Sequence, residues 1–315
     1  MKKFALPLAA ALAAAASPAL AAGELVTADE VKALVGKPAV RLVFADSEQD
    51  FARGHLPGSV VAYAHDLHLL DDVKACKGLP MCEPRAAKVI GETLGIGADT
   101  EVVVYDSGAG PNASGTWFFL TLYGVKKVRI LDGGLATWKA HGGAVETGSP
   151  ARVDAKPFTP SVQWSMIASV DEVRRAIADP AKYVLLDSRH NLDEYTGKSL
   201  LGALAAPGRE ENVKRGGAIP TAIFSPWTKY AGNKDGQPDK PTLKDKAELE
   251  KQIEKLTKNG YAPTKTVISY CHVGLGRGSF QYLAFKTAGH ENVKVYVGSW
   301  DEWGNDASLP LAAQP

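Results

Sequence analysis

The chain has 315 residues, with 36 Lys and Arg against 35 Asp and Glu and a formal net charge of +1. That balance gives no basis for holding nucleic acid or an anionic membrane through bulk charge, so any electrostatic recognition has to be local. Without its leader the chain keeps roughly 290 residues, long for one hydrophobic core and comfortable for two.

The first element in chain order reads as an export signal over residues 1–21. Lys2 and Lys3 are followed by an Ala/Leu-rich run from Phe4 to Ala16, a break at Ser17 and Pro18, and the small-residue cleavage pattern Ala19-Leu20-Ala21. The run is shorter than the ~20 residues that span a bilayer, so a leader is expected rather than an anchor. Its bacterial character places the mature chain in the periplasm.

From there the chain repeats itself. Thr27-Ala28-Asp29-Glu30-Val31 and Ser169-Val170-Asp171-Glu172-Val173 are each a hydroxyl cap followed by acids, the signature of a helix start. Apolar strand-type runs follow, Val40 to Ala45 and Tyr183 to Leu186, each ending at an aspartate, Asp46 and Asp187. Further on come the strands Val102 to Tyr105 and Val267 to Tyr270, then Gly-rich turns. Helical stretches Ser114 to Tyr123 and Ser279 to Ala288 follow, and then the strands Val128 to Leu131 and Val293 to Val297. Tyr105 and Tyr270, Gly133 and Gly298, and Trp138 and Trp303 are each 165 positions apart, whereas Asp46 and Asp187 are 141 apart. The second copy therefore carries 24 extra residues between its two main strands, and the polar stretch Lys229 to Lys246 is the natural place for them.

Strands alternating with helices imply an α/β fold, with a parallel sheet in each copy covered by helices on both faces. The expected organisation is a domain over 22–145, a linker over 146–164 within a stretch rich in Gly, Pro and small polar residues, and a second domain over 165–315. Ligands in such sheets bind beyond the carboxyl ends of the strands.

Two turns occupy that position. The first begins Asp106-Ser107-Gly108-Ala109-Gly110, and the second Cys271-His272-Val273-Gly274-Leu275-Gly276-Arg277-Gly278. Glycines after Cys271 let successive amides converge into an anion-binding nest at a helix start. A thiol there ionises more readily, and the thiolate is the nucleophile. Arg277 adds a cation if it turns inward. The simpler alternative, a buried structural cysteine, does not call for three glycines and an arginine directly after it. Asp106 in the equivalent turn is a satisfied anion with no nucleophilic chemistry, so the first copy reads as a catalytically silent scaffold. Cys76 and Cys82 are expected to form a small-loop disulfide in an oxidising compartment, leaving Cys271 as the free thiol. His65 and His68 beside those two cysteines fit no common zinc spacing, so neither a metal site nor a cofactor is assigned.

These residues resemble the rhodanese family of tandem sulfurtransferases over nearly the whole mature chain. In the first copy the resemblance rests on Asp46, Phe51-Ala52-Arg53-Gly54-His55-Leu56-Pro57-Gly58, and Gly133-Gly134-Leu135-Ala136-Thr137-Trp138. In the second it rests on Asp187-Ser188-Arg189, a worn Gly217-Ala218-Ile219-Pro220, and the loop Tyr270-Cys271-His272-Val273-Gly274. The resemblance implies two rhodanese-like domains, the second one catalytic, and a sulfurtransferase of thiosulfate or 3-mercaptopyruvate type. Cys271 would take sulfur from a small anionic donor as a persulfide and pass it to a thiol or cyanide. Arg189, Arg277 and the loop residues His272, Val273, Gly274, Leu275 and Gly276 would bind the donor. The His272 side chain is expected to face away, with no role as a base. Two features depart from the family's loop. Gly276 stands at the sixth position, and Arg277 creates a cysteine, five residues, arginine spacing similar to dual-specificity phosphatase and arsenate-reducing relatives. A cysteine-dependent phosphatase or arsenate reductase is therefore one alternative, and a non-catalytic sulfur carrier or sensor another. A dinucleotide reading of Gly108-Ala109-Gly110-Pro111-Asn112-Ala113 ranks below these, because Pro111 and Asn112 are odd in that turn. Trp300 and Trp303 are assigned no role beyond packing.

Overall fold

The computed structural model describes residues 24–200 and 213–312, and the expected leader over 1–21 lies outside the described residues. The first copy contains β1 (Leu25–Val26), α1 (Ala28–Lys32), β2 (Val40–Phe44), α2 (Glu48–Arg53), β3 (Val60–Val61), α3 (Leu70–Ala75), α4 (Glu83–Lys88), β4 (Glu101–Tyr105), α5 (Pro111–Leu122), β5 (Lys127–Leu131) and α6 (Gly134–Ala140). The second contains β6 (Ile167–Ala168), α7 (Val170–Ala178), β7 (Tyr183–Asp187), α8 (Leu192–Tyr195), β8 (Ile223–Phe224), α9 (Lys246–Glu254), β9 (Thr266–Tyr270), α10 (Arg277–Thr287), β10 (Val293–Tyr296) and α11 (Ser299–Trp303). The two hydroxyl caps act as their sequence implies. Thr27 and Glu30 close a reciprocal capping box, and the Ser169 hydroxyl accepts from the Glu172 amide.

Each copy forms a five-stranded parallel sheet, ordered β1-β5-β4-β2-β3 and β6-β10-β9-β7-β8. Strand alternation sends the two faces of each sheet into different cores. Val103 and Tyr105 of β4 join an outer cluster with Phe44, Phe51 and Trp138, while Val102 and Val104 point the other way. In the second copy Ile268 and Tyr270 pack outward with Trp300 and Trp303, while Val267 faces inward. The inner faces merge into one core that contains residues of both copies. Helices α5 and α10 meet inside it, with Phe118 edge-on to Tyr282 at a centroid distance of 5.1 Å.

Two segments tie the copies together. The stretch expected as a linker is laid along the first copy, where the amides of Lys156 and Ser161 donate to the carbonyls of Gly91 and Tyr123. The 229–246 stretch folds back on itself at an Ala231–Leu243 bridge and reaches across to the first copy. There the Thr242 hydroxyl accepts from the Gly133 amide at 2.9 Å, and Asp239 meets His141 at 3.0 Å. Cys76 and Cys82 are joined by a disulfide that closes the turn between α3 and α4.

The contact between α5 and the turn after β9 is tight. A Cβ at Gly115 would lie 2.8 Å from the Gly276 amide nitrogen and 2.8 Å from the Ala64 Cβ. Gly115→Ala is therefore expected to push the copies apart at the Cys271 turn and to destabilise by about 1–3 kcal/mol, as overpacking does. Urea unfolding checks this, and an unchanged midpoint contradicts it.

Candidate active site

Strands β4 and β9 lie at the centre of their sheets, and the turns that follow them line one cleft. In the first copy the buried Asp106 carboxylate accepts from the amides of Gly108 (2.9 Å), Gly110 (2.8 Å) and Ala113 (3.2 Å). The nest at the start of α5 is thus filled by a side chain of its own turn. Burial and the neighbouring charge of Asp46 push the Asp106 pKa up to about 7, against the pull of those three amides.

At an offset of 165 the same positions are Cys271, Val273, Leu275 and Gly278. Cysteine cannot cap the nest as a carboxylate does. Among these, only Leu275 turns its amide onto a protein carbonyl, that of Val273. Among the described residues, no acceptor is present for the amides of His272, Val273, Gly274, Arg277 and Gly278. Helix α10 starts one residue later than the repeat offset implies, at Arg277, which widens the turn.

The Cys271 turn is pinned from beneath by α11. The Ser299 hydroxyl accepts from the Cys271 amide at 3.1 Å, and the amides of Trp300 and Asp301 donate to the carbonyls of Cys271 and His272. Gly274 has φ +73°, and a Cβ there would fall 2.6 Å from the Val297 Cα. Only glycine fits this point of close approach.

The cleft has a volume of about 390 Å³ and walls from both copies. The second copy contributes Cys271, His272, Val273, Leu275, Gly276, Arg277, Trp227 and, from the 229–246 stretch, Lys234. The first contributes Asp46, Tyr63, His65 and the turn from Asp106 to Asn112. Tyr63 and His65 stack face to face, with centroids 4.9 Å apart. Asp46 accepts from the Ser107 amide at 2.7 Å and from Asn112 Nδ2 at 2.6 Å. One Arg277 nitrogen, Nη1, and the Trp227 indole nitrogen are buried without hydrogen-bond partners among the described residues. One wall therefore carries a thiol, cations and unfilled amides, and the other carries carboxylates and aromatic faces. That arrangement suits a nucleophile acting on a small anion.

Arg277 lies in the cleft wall, together with the loop from Cys271 to Gly276, apart from Gly274, which packs on Val297. Two expectations need correction. Arg189, expected to bind the donor, is fully buried and does not border the cleft. Following a buried strand end, its guanidinium turns back onto Asp187 (2.6 and 3.0 Å) and the Gly217 carbonyl (2.6 Å), and it lies 4.7 Å above the Trp300 ring. The Asp187 carboxylate also accepts from the Tyr270 hydroxyl at 2.7 Å, so the network braces the strand end just before Cys271. His272 does not face away: Glu194 on α8 holds its ring at the cleft by a 2.7 Å bond to Nε2. Trp300 and Trp303 are fully buried, with indole nitrogens bonded to the carbonyls of Arg215 and Pro310.

Sequence reasoning missed Glu194, Trp227, Lys234 and the first-copy wall of Asp46, Tyr63 and His65. Of these, Asp46 is legible only as a family landmark. Lys234 carries no local signal, because the fold alone swings its segment to the cleft.

Two parallel sheets sharing one core, with a cysteine turn at the end of one central strand, define a tandem α/β protein with a thiol-centred cleft. The profile of the rhodanese-like domain family matches residues 27–141 and again residues 169–306, and the chain belongs to that family. A Saccharopolyspora erythraea protein provisionally named thiosulfate sulfurtransferase is 32% identical over 276 residues, 86% of this chain and 90% of that one. The thiosulfate sulfurtransferase of Pseudomonas aeruginosa is 30% identical over 278 residues, 88% of this chain and 92% of that one. The solved structure of SseA from Escherichia coli, described among the 3-mercaptopyruvate sulfotransferases, is similar with a TM-score of 0.68 at 25% identity. The match covers 88% of this chain and 99% of SseA.

The raised pKa of Asp106 sets a pH dependence. Between the unfolded value near 3.8 and about 7 the folded chain holds a proton that the unfolded chain has released. Stability from this group therefore falls as pH rises across that window and is level above it. Asp106→Asn removes the slope. Relative to the variant, the parent chain is expected to lose on the order of 2 kcal/mol between pH 5 and 8 in urea unfolding. Parallel pH profiles for the two proteins would refute the assignment.

Proposed function

We propose that the chain is an exported sulfurtransferase that carries sulfur as a persulfide on Cys271. The Cys271 thiolate attacks the outer sulfur of a donor such as thiosulfate, the donor's S–S bond breaks, and sulfite leaves with the electron pair. A thiol or cyanide then removes the outer sulfur and regenerates the thiolate. Amides of the Cys271 turn stabilise charge on the transferred sulfur, and Arg277 with Lys234 attracts the donor's anionic end. The first copy is catalytically silent and supplies the opposite wall. One observation carries this reading: the turn that Asp106 fills in the first copy has unfilled amides beside a cysteine in the second. The name of the Pseudomonas aeruginosa relative supports thiosulfate as the first donor to try.

Export through the 1–21 leader is part of the proposal, supported by the leader pattern and by the Cys76–Cys82 disulfide. No helix among the described residues is long and apolar enough to cross a membrane. An N-terminus at Ala22 in periplasmic material is the expected finding, and an uncleaved chain retained in the cytoplasm would contradict it.

Thiocyanate formation from thiosulfate and cyanide tests the activity. Cys271→Ala is expected to abolish it, and Arg277→Gln to raise the KM for thiosulfate about tenfold, in line with loss of a charge-assisted bond. Unchanged turnover in Cys271→Ala would rule out the persulfide. The cysteine, five residues, arginine spacing also supports a second reading as a phosphatase or arsenate reductase. Cys271-dependent hydrolysis of a chromogenic phosphate ester, without thiocyanate formation, would favour it.

A further inference from the structure

Next to Cys271, His272 sits in an arrangement that sulfur loading does not use. Its Nε2 lies 2.7 Å from the Glu194 carboxylate, which is 1% exposed and fixed on α8. A carboxylate only accepts, so Nε2 carries the proton and Nδ1 keeps the lone pair. Nδ1 is buried and has no hydrogen-bond partner among the described residues, and His272 is one of the residues that line the cleft. A buried acceptor left unpaired in a native site calls for an explanation, and a partner that arrives with the reaction is one.

We propose that His272, held by Glu194, is the proton-transfer residue of the sulfur-acceptor step, and that the natural acceptor is a neutral thiol. This rests on the persulfide reading of Cys271. The acceptor thiol RSH gives its proton to His272 Nδ1, and the thiolate formed attacks the outer sulfur of Cys271–S–SH. A new S–S bond forms, the bond from Cys271 Sγ to the outer sulfur breaks, and its electron pair stays on Sγ. The products are RS–SH and the Cys271 thiolate, which takes the proton from Nδ1. Atoms, charge and oxidation level balance without another reactant. Glu194 acts through His272 and is a positioning residue.

The charges around His272 suit a neutral base. Burial lowers its pKa from the ordinary imidazole value, Arg277 and Arg189 lower it further, and Glu194 opposes them. Lys234 stands on the same side of the cleft, and Asp46, His65 and Asp106 stand across it. At neutral pH the imidazole is unprotonated and ready to accept. A free thiol ionises only near pH ~8.5, so a base at the site matters most for this class of acceptor.

Single-turnover discharge of the thiosulfate-loaded full-length protein tests the proposal, with persulfide followed by mass spectrometry. The acceptors are 2-mercaptoethanol and, as a proton-free acceptor, sulfite at pH 8. His272→Gln, whose amide can keep the bond to Glu194, is expected to slow discharge to the thiol far more than loading or discharge to sulfite. Its discharge to the thiol at pH 7 should be about 10²-fold slower, and its rate should climb about tenfold per pH unit. The parent rate should be level from pH 7 to 8. Glu194→Gln, which keeps the shape and removes the charge, should slow thiol discharge about tenfold and move the acidic inflection to lower pH. Equal slowing with both acceptors, or an unaltered level profile in His272→Gln, would overturn the assignment. Absence of any persulfide on the parent protein would instead overturn the reading of Cys271 itself, and this inference with it.

Discussion

The constraint on which the rest depends is a cup of main-chain N–H groups where a central strand gives way to a helix. Such a cup holds negative charge, because backbone donors and the helix dipole point into it. This chain builds it twice and fills it in two ways. In the first copy Asp106 occupies it permanently. In the second, the buried Cys271 takes the place of Asp106, and no acceptor among the described residues fills the turn. The cup keeps its shape because Gly274 passes against Val297 and because α11 holds the Cys271 amide and the two carbonyls that follow. A side chain at residue 274 would displace the donors before it touched a substrate.

The first copy does more than stand beside the second. The inner faces of both sheets form one core, so neither copy buries its apolar surface alone. The cleft is a seam between them. Asp46, Asp106 and the Tyr63–His65 stack face the thiol from the other side. The 229–246 stretch fastens the seam through Thr242 and Asp239 and brings Lys234 to the opening.

Much of the fold could be read from the sequence because its signals are local. Hydroxyl caps at Thr27 and Ser169, the valine-rich strands, and the Gly and Trp landmarks at a constant offset each follow from a few neighbouring residues. The Cys271 turn and the cysteine pair were legible for the same reason. What escaped depends on partners distant in sequence. Arg189 looked like a substrate clamp because it follows a strand end. Yet Asp187, the Gly217 carbonyl and Trp300 take up its guanidinium, and those contacts exist only once the 217–219 segment and α11 have docked. The direction of His272 is set by Glu194, 78 positions away. The first-copy wall of the cleft, more than 150 positions from Cys271, has no signature short of the folded seam.

The most direct measurement is the backbone amide NMR spectrum of Cys271→Ser protein titrated with thiosulfate. Binding is expected to shift the amides of Val273, Gly274 and Gly278 downfield, as new hydrogen bonds to an anion do, while those of Gly108, Gly110 and Ala113 stay in place. Shifts in the first-copy turn, or none in the second at saturating thiosulfate, would contradict the account.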